Sequence, residues 1–185
     1  MEINYFGKPY SFSNIAALRR FGNQKKYISK DTIDDAINSV KTNSIAIVPI
    51  ENTYGGIITK TVDALTHELY QKNIRILEEL EMDISLYVLC TETLKLRKIK
   101  KVYSHDYPLK ISEPWIKQNL SSADVIRTAS TSDAVIKVKK EKYSCAIASI
   151  EAARYYGLRS LGEIHCRGKD NITRFFVLGL SSNFQ

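Results

Sequence analysis

Apolar residues in this chain recur with a period that switches repeatedly between two and 3.6 residues, the signature of strands alternating with helices. Residues 2–6 read as a strand. A helix follows to Phe21, with Ser13 able to cap it and Gly22 able to end it. Asp31 or Thr32 can open a second helix whose Ile33, Ala36, Ile37 and Val40 share one face. Residues 44–50 form an apolar run suited to a buried strand, and a Gly-Gly pair follows at 55–56. Thr61 to Leu69 is helical. Residues 74–90 alternate and read as strand, as do residues 99–104. Glu113–Leu120 is a short helix whose Trp115 is expected in the core. Val125–Ala129 reads as strand, then a helix capped by Ser130 or Ser132 runs to Lys140. Tyr143–Ser149 is a strand, Ile150–Tyr156 a helix closed by Gly157, and Phe175–Leu178 the last strand.

The pattern also echoes itself. Asp35-Ala-Ile-Asn-Ser-Val-Lys41 is similar to Asp133-Ala-Val-Ile-Lys-Val-Lys139. Each precedes a similar strand, Ser44-Ile-Ala-Ile-Val-Pro-Ile-Glu51 and Ser144-Cys-Ala-Ile-Ala-Ser-Ile-Glu151. Two similar α/β lobes with a cleft between them would produce this echo; so would two unrelated amphipathic helix–strand units. The two-lobe reading assigns residues 1 to about 75 plus 160–185 to lobe 1 and residues 76–159 to lobe 2. With no long Gly/Ser/Pro linker, short crossovers must join them. Ligands of open α/β sheets bind beyond the carboxyl ends of strands, which draws attention to Glu51–Thr53 and Ser149–Glu151.

Composition narrows the class. The chain has 185 residues, 44% hydrophobic and 25% charged, as expected of one domain or two small lobes with an ordinary globular core. The start, MEINYFGK, has no apolar h-region, and the longest apolar run, Ile45–Ile50, is far below the roughly 20 residues that span a bilayer. A cytoplasmic protein with no membrane partner is expected. Cys90, Cys145 and Cys166 are far apart and odd in number, which argues for reduced thiols. His67, His105 and His165 complete no zinc spacing with them, so no metal is expected. The net charge of +7 fits nucleic acid or a small polyanionic substrate. The densest basic stretches, Lys95–Lys101 and Lys137–Lys142, are short and mixed with apolar residues, and no nucleic-acid motif accompanies them.

Val48-Pro-Ile-Glu-Asn-Thr-Tyr-Gly-Gly56 resembles the VPIENS-x-x-G motif of prephenate dehydratases, and Asn171-Ile-Thr-Arg-Phe175 resembles their N-x-T-R-F motif. Tyr103-Ser-His105, Ser130-Thr-Ser132, Ala146-Ile-Ala-Ser149 with Ala152-Ala153, and Tyr156-Gly-Leu158 fall between them in the family's order. The resemblance implies a fold like type II periplasmic binding proteins, with no metal or organic cofactor. It also implies a reaction, decarboxylative dehydration of prephenate to phenylpyruvate in phenylalanine biosynthesis. A homodimer is the expected assembly. Three departures stand out. The family's G-P-x-G-[TS]-[FY]-S reads Gly7-Lys-Pro-Tyr-Ser-Phe-Ser13, so Tyr10 stands where glycine would permit a tight turn and a rebuilt loop is expected. Asp106-Tyr-Pro-Leu-Lys-Ile111 replaces the glutamines after His105. The regulatory amino-acid-binding domain that usually follows is absent from a chain ending at Gln185, which leaves an unregulated enzyme or a chain cut short.

The resemblance assigns Thr173 as the catalytic residue, hydrogen-bonding the leaving hydroxyl. Arg174 has the planar fork of a carboxylate clamp or of a structural ion pair. On an alternating strand it points away from Thr173, so both are not expected to reach one ligand. Asn52 can donate to a carboxylate or hydroxyl. Glu51 is either an acid with a raised pKa or a charge favoured at a helix N-terminus. Ser130 and Thr131, and likewise Ser11 and Ser13, can be carboxylate donors, ordinary caps, or both. Thr53, Ser104 and Phe175 complete the candidate substrate-binding set. The rival reading is a non-catalytic sensor of an aromatic acid, favoured by the altered 7–13 loop and the missing glutamines.

Overall fold

The computed structural model describes residues 1–71, 73–165 and 170–180. They form two compact units, Met1–Asp83 with Asn171–Gln185, and Ile84–Asp170. The first unit contains β1 (Glu2–Phe6), α1 (Phe12–Phe21), β2 (Lys26–Lys30), α2 (Ile33–Asn38), β3 (Ser44–Asn52), β4 (Gly56–Ile57), α3 (Thr59–Gln71), β5 (Ile74–Asp83) and β11 (Ile172–Leu180). The second contains β6 (Leu86–Cys90), β7 (Lys101–Ser104), α4 (Asp106–Asn119), β8 (Asp124–Arg127), α5 (Thr131–Val138), β9 (Ser144–Ala148), α6 (Ile150–Tyr156) and β10 (Arg159–Ile164).

Each unit is a mixed sheet with helices packed on it, and the two sheets share one plan. The first runs β2-β1-β3-β11-β5, with β2, β1 and β3 parallel and β11 antiparallel to both its neighbours. The second runs β8-β7-β9-β6-β10, with β8, β7 and β9 parallel and β6 antiparallel to both its neighbours. The repeated helix–strand segments, α2–β3 and α5–β9, occupy the same place in each. The likeness reaches single residues. Asn43 and Tyr143 both take positive φ, 69° and 57°, just before the central strand. The Asn43 carbonyl accepts from Glu2 N at the start of β1 at 2.9 Å, and the Tyr143 carbonyl from Lys100 N just before β7 at 2.7 Å.

Burial follows the sequence pattern in the first unit. Ile33, Ala36, Ile37 and Val40 of the α2 face join Ala46, Val48, Ala64, Leu65, Ile74 and Leu178 in one core cluster. Thr32 supplies the cap, its hydroxyl accepting from Asp35 N at 3.0 Å.

Several sequence expectations are corrected. The 74–90 stretch is two strands in different units. Alternating burial runs unbroken from Glu81 to Leu86, so the pattern hides the change of pairing partner from β11 to β9 and β10. For the same reason the boundaries lie at Asp83 and Asn171, because β5 pairs with β11 along its whole length. The edge strands β2 and β10 are additions to the predicted elements. The helix carrying Trp115 starts earlier, at Asp106, and Trp115 is half-buried and not in the core. Ser11, and not Ser13, caps α1. Tyr10 adopts φ 60°, the left-handed conformation that favours glycine, and carries its side chain there. Cys166 lies outside the described residues. No helix among the described residues is long and apolar enough to cross a membrane.

Candidate functional site

The motif residues of the first unit meet on the β3–β11 ladder. Antiparallel register sets Thr173 opposite Asn52 and Arg174 opposite Glu51, with a bulge between Arg174 and Phe175. Successive side chains of β11 face opposite sides, and two different environments result.

On one side lies a buried polar triad. Asn52, Asn171 and Thr173 keep only 5%, 8% and 9% of their surface exposed. The Asn52 side-chain amide donates to Thr173 Oγ1 at 2.8 Å and to Asn171 Oδ1 at 2.9 Å. Asn52 Oδ1 accepts from Tyr54 N at 2.7 Å. A backbone N–H can only donate, so the atom facing it must be oxygen and the atom facing Thr173 must be nitrogen. With a lone pair of Thr173 Oγ1 taken up by that donor, the Thr173 proton is left to bond elsewhere. Thr53 closes the end of the ladder, its N donating to Ile172 O at 3.0 Å and its hydroxyl accepting from Ile172 N at 3.1 Å.

On the other side Arg174 is enclosed by carboxylates. Its guanidinium lies 2.9 Å from Glu79 Oε1, 3.0 Å from Glu81 Oε1 and 3.3 Å from Glu51 Oε2. The hydrogen bond to Glu81, then the charge of Glu79, push its pKa above the ordinary guanidinium value. At 41% side-chain exposure these pairs are well screened by solvent. Phe175 is fully buried, and Glu51 lies within β3 and not at a helix start.

The remaining candidates sit at helix starts and strand ends. Ser13 is buried in the first turn of α1, two residues past the Ser11 cap, whose hydroxyl donates to Phe6 O at 3.0 Å. In the second unit Ser104 ends β7, fully buried, and donates to Ile147 O at 2.6 Å. Ser130 caps α5, accepting from Asp133 N at 3.0 Å and donating to Asp133 Oδ2 at 2.8 Å. The hydroxyl protons of Ser104 and Ser130 are therefore both in use. Thr131, nearly buried at the head of α5, has no such bond among the described residues. Also among the described residues, no three His, Cys, Asp or Glu side chains are placed to hold a metal.

The sequence profile described as prephenate dehydratase matches residues 3–183. The chain belongs to the prephenate dehydratase family. The bifunctional chorismate mutase/prephenate dehydratase of Pseudomonas aeruginosa is 32% identical over 182 residues, 97% of this chain and 48% of that protein. The prephenate dehydratase of Lactococcus lactis subsp. cremoris is 31% identical over 183 residues, 97% of this chain and 63% of that protein. This chain thus spans about half the length of the first of these curated relatives. The crystal structure of the prephenate dehydratase from Staphylococcus aureus superposes with a TM-score of 0.76 at 27% identity, covering 97% of this chain and 67% of that one.

Val48–Asn52 of the first prephenate dehydratase-like segment lies on β3, and Ile172–Phe175 of the last lies on β11 beside it. Asn171, within the second of them, escaped the candidate list. A signal was available: it stands two residues before Thr173, and period two puts both side chains on one face. Arg174 belongs to an ion-pair network on the opposite face. Of the two roles read for Arg174, clamp or structural ion pair, the structure shows the ion pair, with a trio of glutamates that β3 and β5 place around it. Phe175 is a core residue by its complete burial.

Proposed function

We propose that this domain converts prephenate to phenylpyruvate, acting in the cytoplasm on a small dianionic substrate without a cofactor. The reaction breaks the bond from the ring to its carboxylate and releases carbon dioxide. That electron pair enters the ring and expels the allylic hydroxyl, which leaves as water after gaining a proton. Aromatisation drives the step, so the protein must mainly orient the ring and stabilise the departing oxygen.

One observation carries this reading: Asn52 donates to Thr173 Oγ1 among buried side chains of the β3–β11 ladder. Thr173 is then a hydrogen-bond donor toward the substrate. A threonine hydroxyl is too weak an acid to ionise here, so Thr173 stabilises the leaving oxygen by its hydrogen bond and water supplies the proton. Within the second unit, the Thr131 hydroxyl and the first N–H groups of α5 are the groups suited to hold an anion, since Ser104 and Ser130 have committed theirs. Glu51 and Arg174 serve the ladder from its other face.

Incubation with prephenate while following phenylpyruvate absorbance tests the assignment. Steady formation of phenylpyruvate is expected. Binding of prephenate with no product would make the domain a sensor. The same reading expects a homodimer, which sedimentation of the purified chain would check.

A further inference from the structure

We propose that Asn171 is a positioning residue that sets the direction of the Thr173 hydroxyl through the Asn52 amide. The inference deepens the reading of Thr173 given above and rests on it.

An asparagine side chain has two nearly isosteric ends, one that donates and one that accepts. Rotated by half a turn, Asn52 would present its oxygen to Thr173. Thr173 would then donate its proton to Asn52 and have none for a leaving group. Two contacts oppose that state. Tyr54 N requires an oxygen at one end of the amide, 2.7 Å away, and Asn171 Oδ1 requires a donor at the other, 2.9 Å away. In the flipped state Tyr54 N would face a donor and, with Asn171 held as it is, Asn171 Oδ1 would face an acceptor, leaving an unmade hydrogen bond at a part-buried and at a buried site. The Tyr54 contact is backbone and cannot be varied by sequence. Asn171 is therefore the side chain through which the sequence selects the amide's orientation. Its burial beside Thr173, on the same face of the chain, places it for that task.

Three single variants and one double variant test the inference against turnover. Asn171→Leu keeps the size and removes the acceptor. It should lower kcat by about 5- to 10-fold, the worth of one neutral hydrogen bond, with KM little changed. Asn171→Asp keeps an acceptor for Asn52 and should hold kcat within about 3-fold of wild type, while its charge raises KM for an anionic substrate. Asn52→Asp puts an acceptor opposite Thr173 and should lower kcat by about 10²-fold. Adding Asn171→Leu to Asn52→Asp should cost nothing further, since the residue acts through the amide. Equal loss in Asn171→Leu and Asn171→Asp, or additive loss in the double variant, would overturn the proposal. A second readout needs no turnover. By NMR, the Asn52 side-chain amide protons should exchange slowly with solvent in wild type and about 10-fold faster in Asn171→Leu. Unchanged exchange would reject the lock even if Thr173 proves catalytic. Faster exchange in a protein without turnover would retain the lock and reject the reaction.

Discussion

Tyr10 N donates to Asn14 Oδ1 at 2.9 Å while Tyr10 itself holds φ 60°, so a side chain of α1 fastens a backbone turn that glycine would adopt unaided. A left-handed conformation costs a residue with a Cβ about 1–2 kcal/mol. Tyr10→Gly should therefore be more stable than Tyr10→Ala by about 1 kcal/mol, or a few degrees in Tm. The two differ only by a methyl group, and thermal unfolding of the pair decides it. The opposite order would show that residue 10 does not hold this conformation in solution.

Thr173→Val keeps the β-branched shape and removes only the hydroxyl. Turnover should fall by about 10²-fold with little change in KM, as for a contact made mainly in the transition state. Normal turnover in this variant would remove Thr173 from the mechanism.

Arg174→Met leaves Glu51, Glu79 and Glu81 facing one another without their shared cation. Urea midpoints should drop, and drop further at low salt than at high salt, because the partly exposed pairs are screened. KM should change little, since the guanidinium is already bound to carboxylates. A large rise in KM with salt-independent stability would restore Arg174 as a substrate clamp.

Tyr103 in the second unit donates to Glu141, which also receives Lys101. The hydrogen bond to Glu141, then burial, raise the Tyr103 pKa above its ordinary value near 10. A raised folded-state pKa contributes stability that is complete below the unfolded value and is lost as pH rises through the folded one. Wild type should thus lose stability above about pH 10 more steeply than Tyr103→Phe. Denaturant unfolding from pH 8 upward measures the slopes, and identical slopes would exclude the contribution.

The elements visible in the sequence are those with a buried face. The α2 stripe carries the helical period because one side of it meets a core, and the apolar runs of β3 and β9 are continuous because both faces of each strand are buried. The omitted strands β2 and β10 lie at sheet edges, where Lys26, Lys30 and Arg159 are tolerated and Gly162 follows a register shift. The β5–β6 break escaped notice because alternation crosses it unchanged. At the site, period two already set Thr173 apart from Arg174. What it could not supply was the partner of each side, since the Asn52 contact and the glutamate trio arise only once β3, β11 and β5 are in register.

β11 lies between β3 and β5, so the first sheet is split in two until the segment after Asn171 is in place. The second unit is one continuous stretch, Ile84–Asp170, and its sheet needs nothing from outside it. During synthesis from the amino end, the unit that begins later can therefore be finished first. The hydrogen bond from Asn52 to Thr173 forms only when the returning strand slots into the waiting gap.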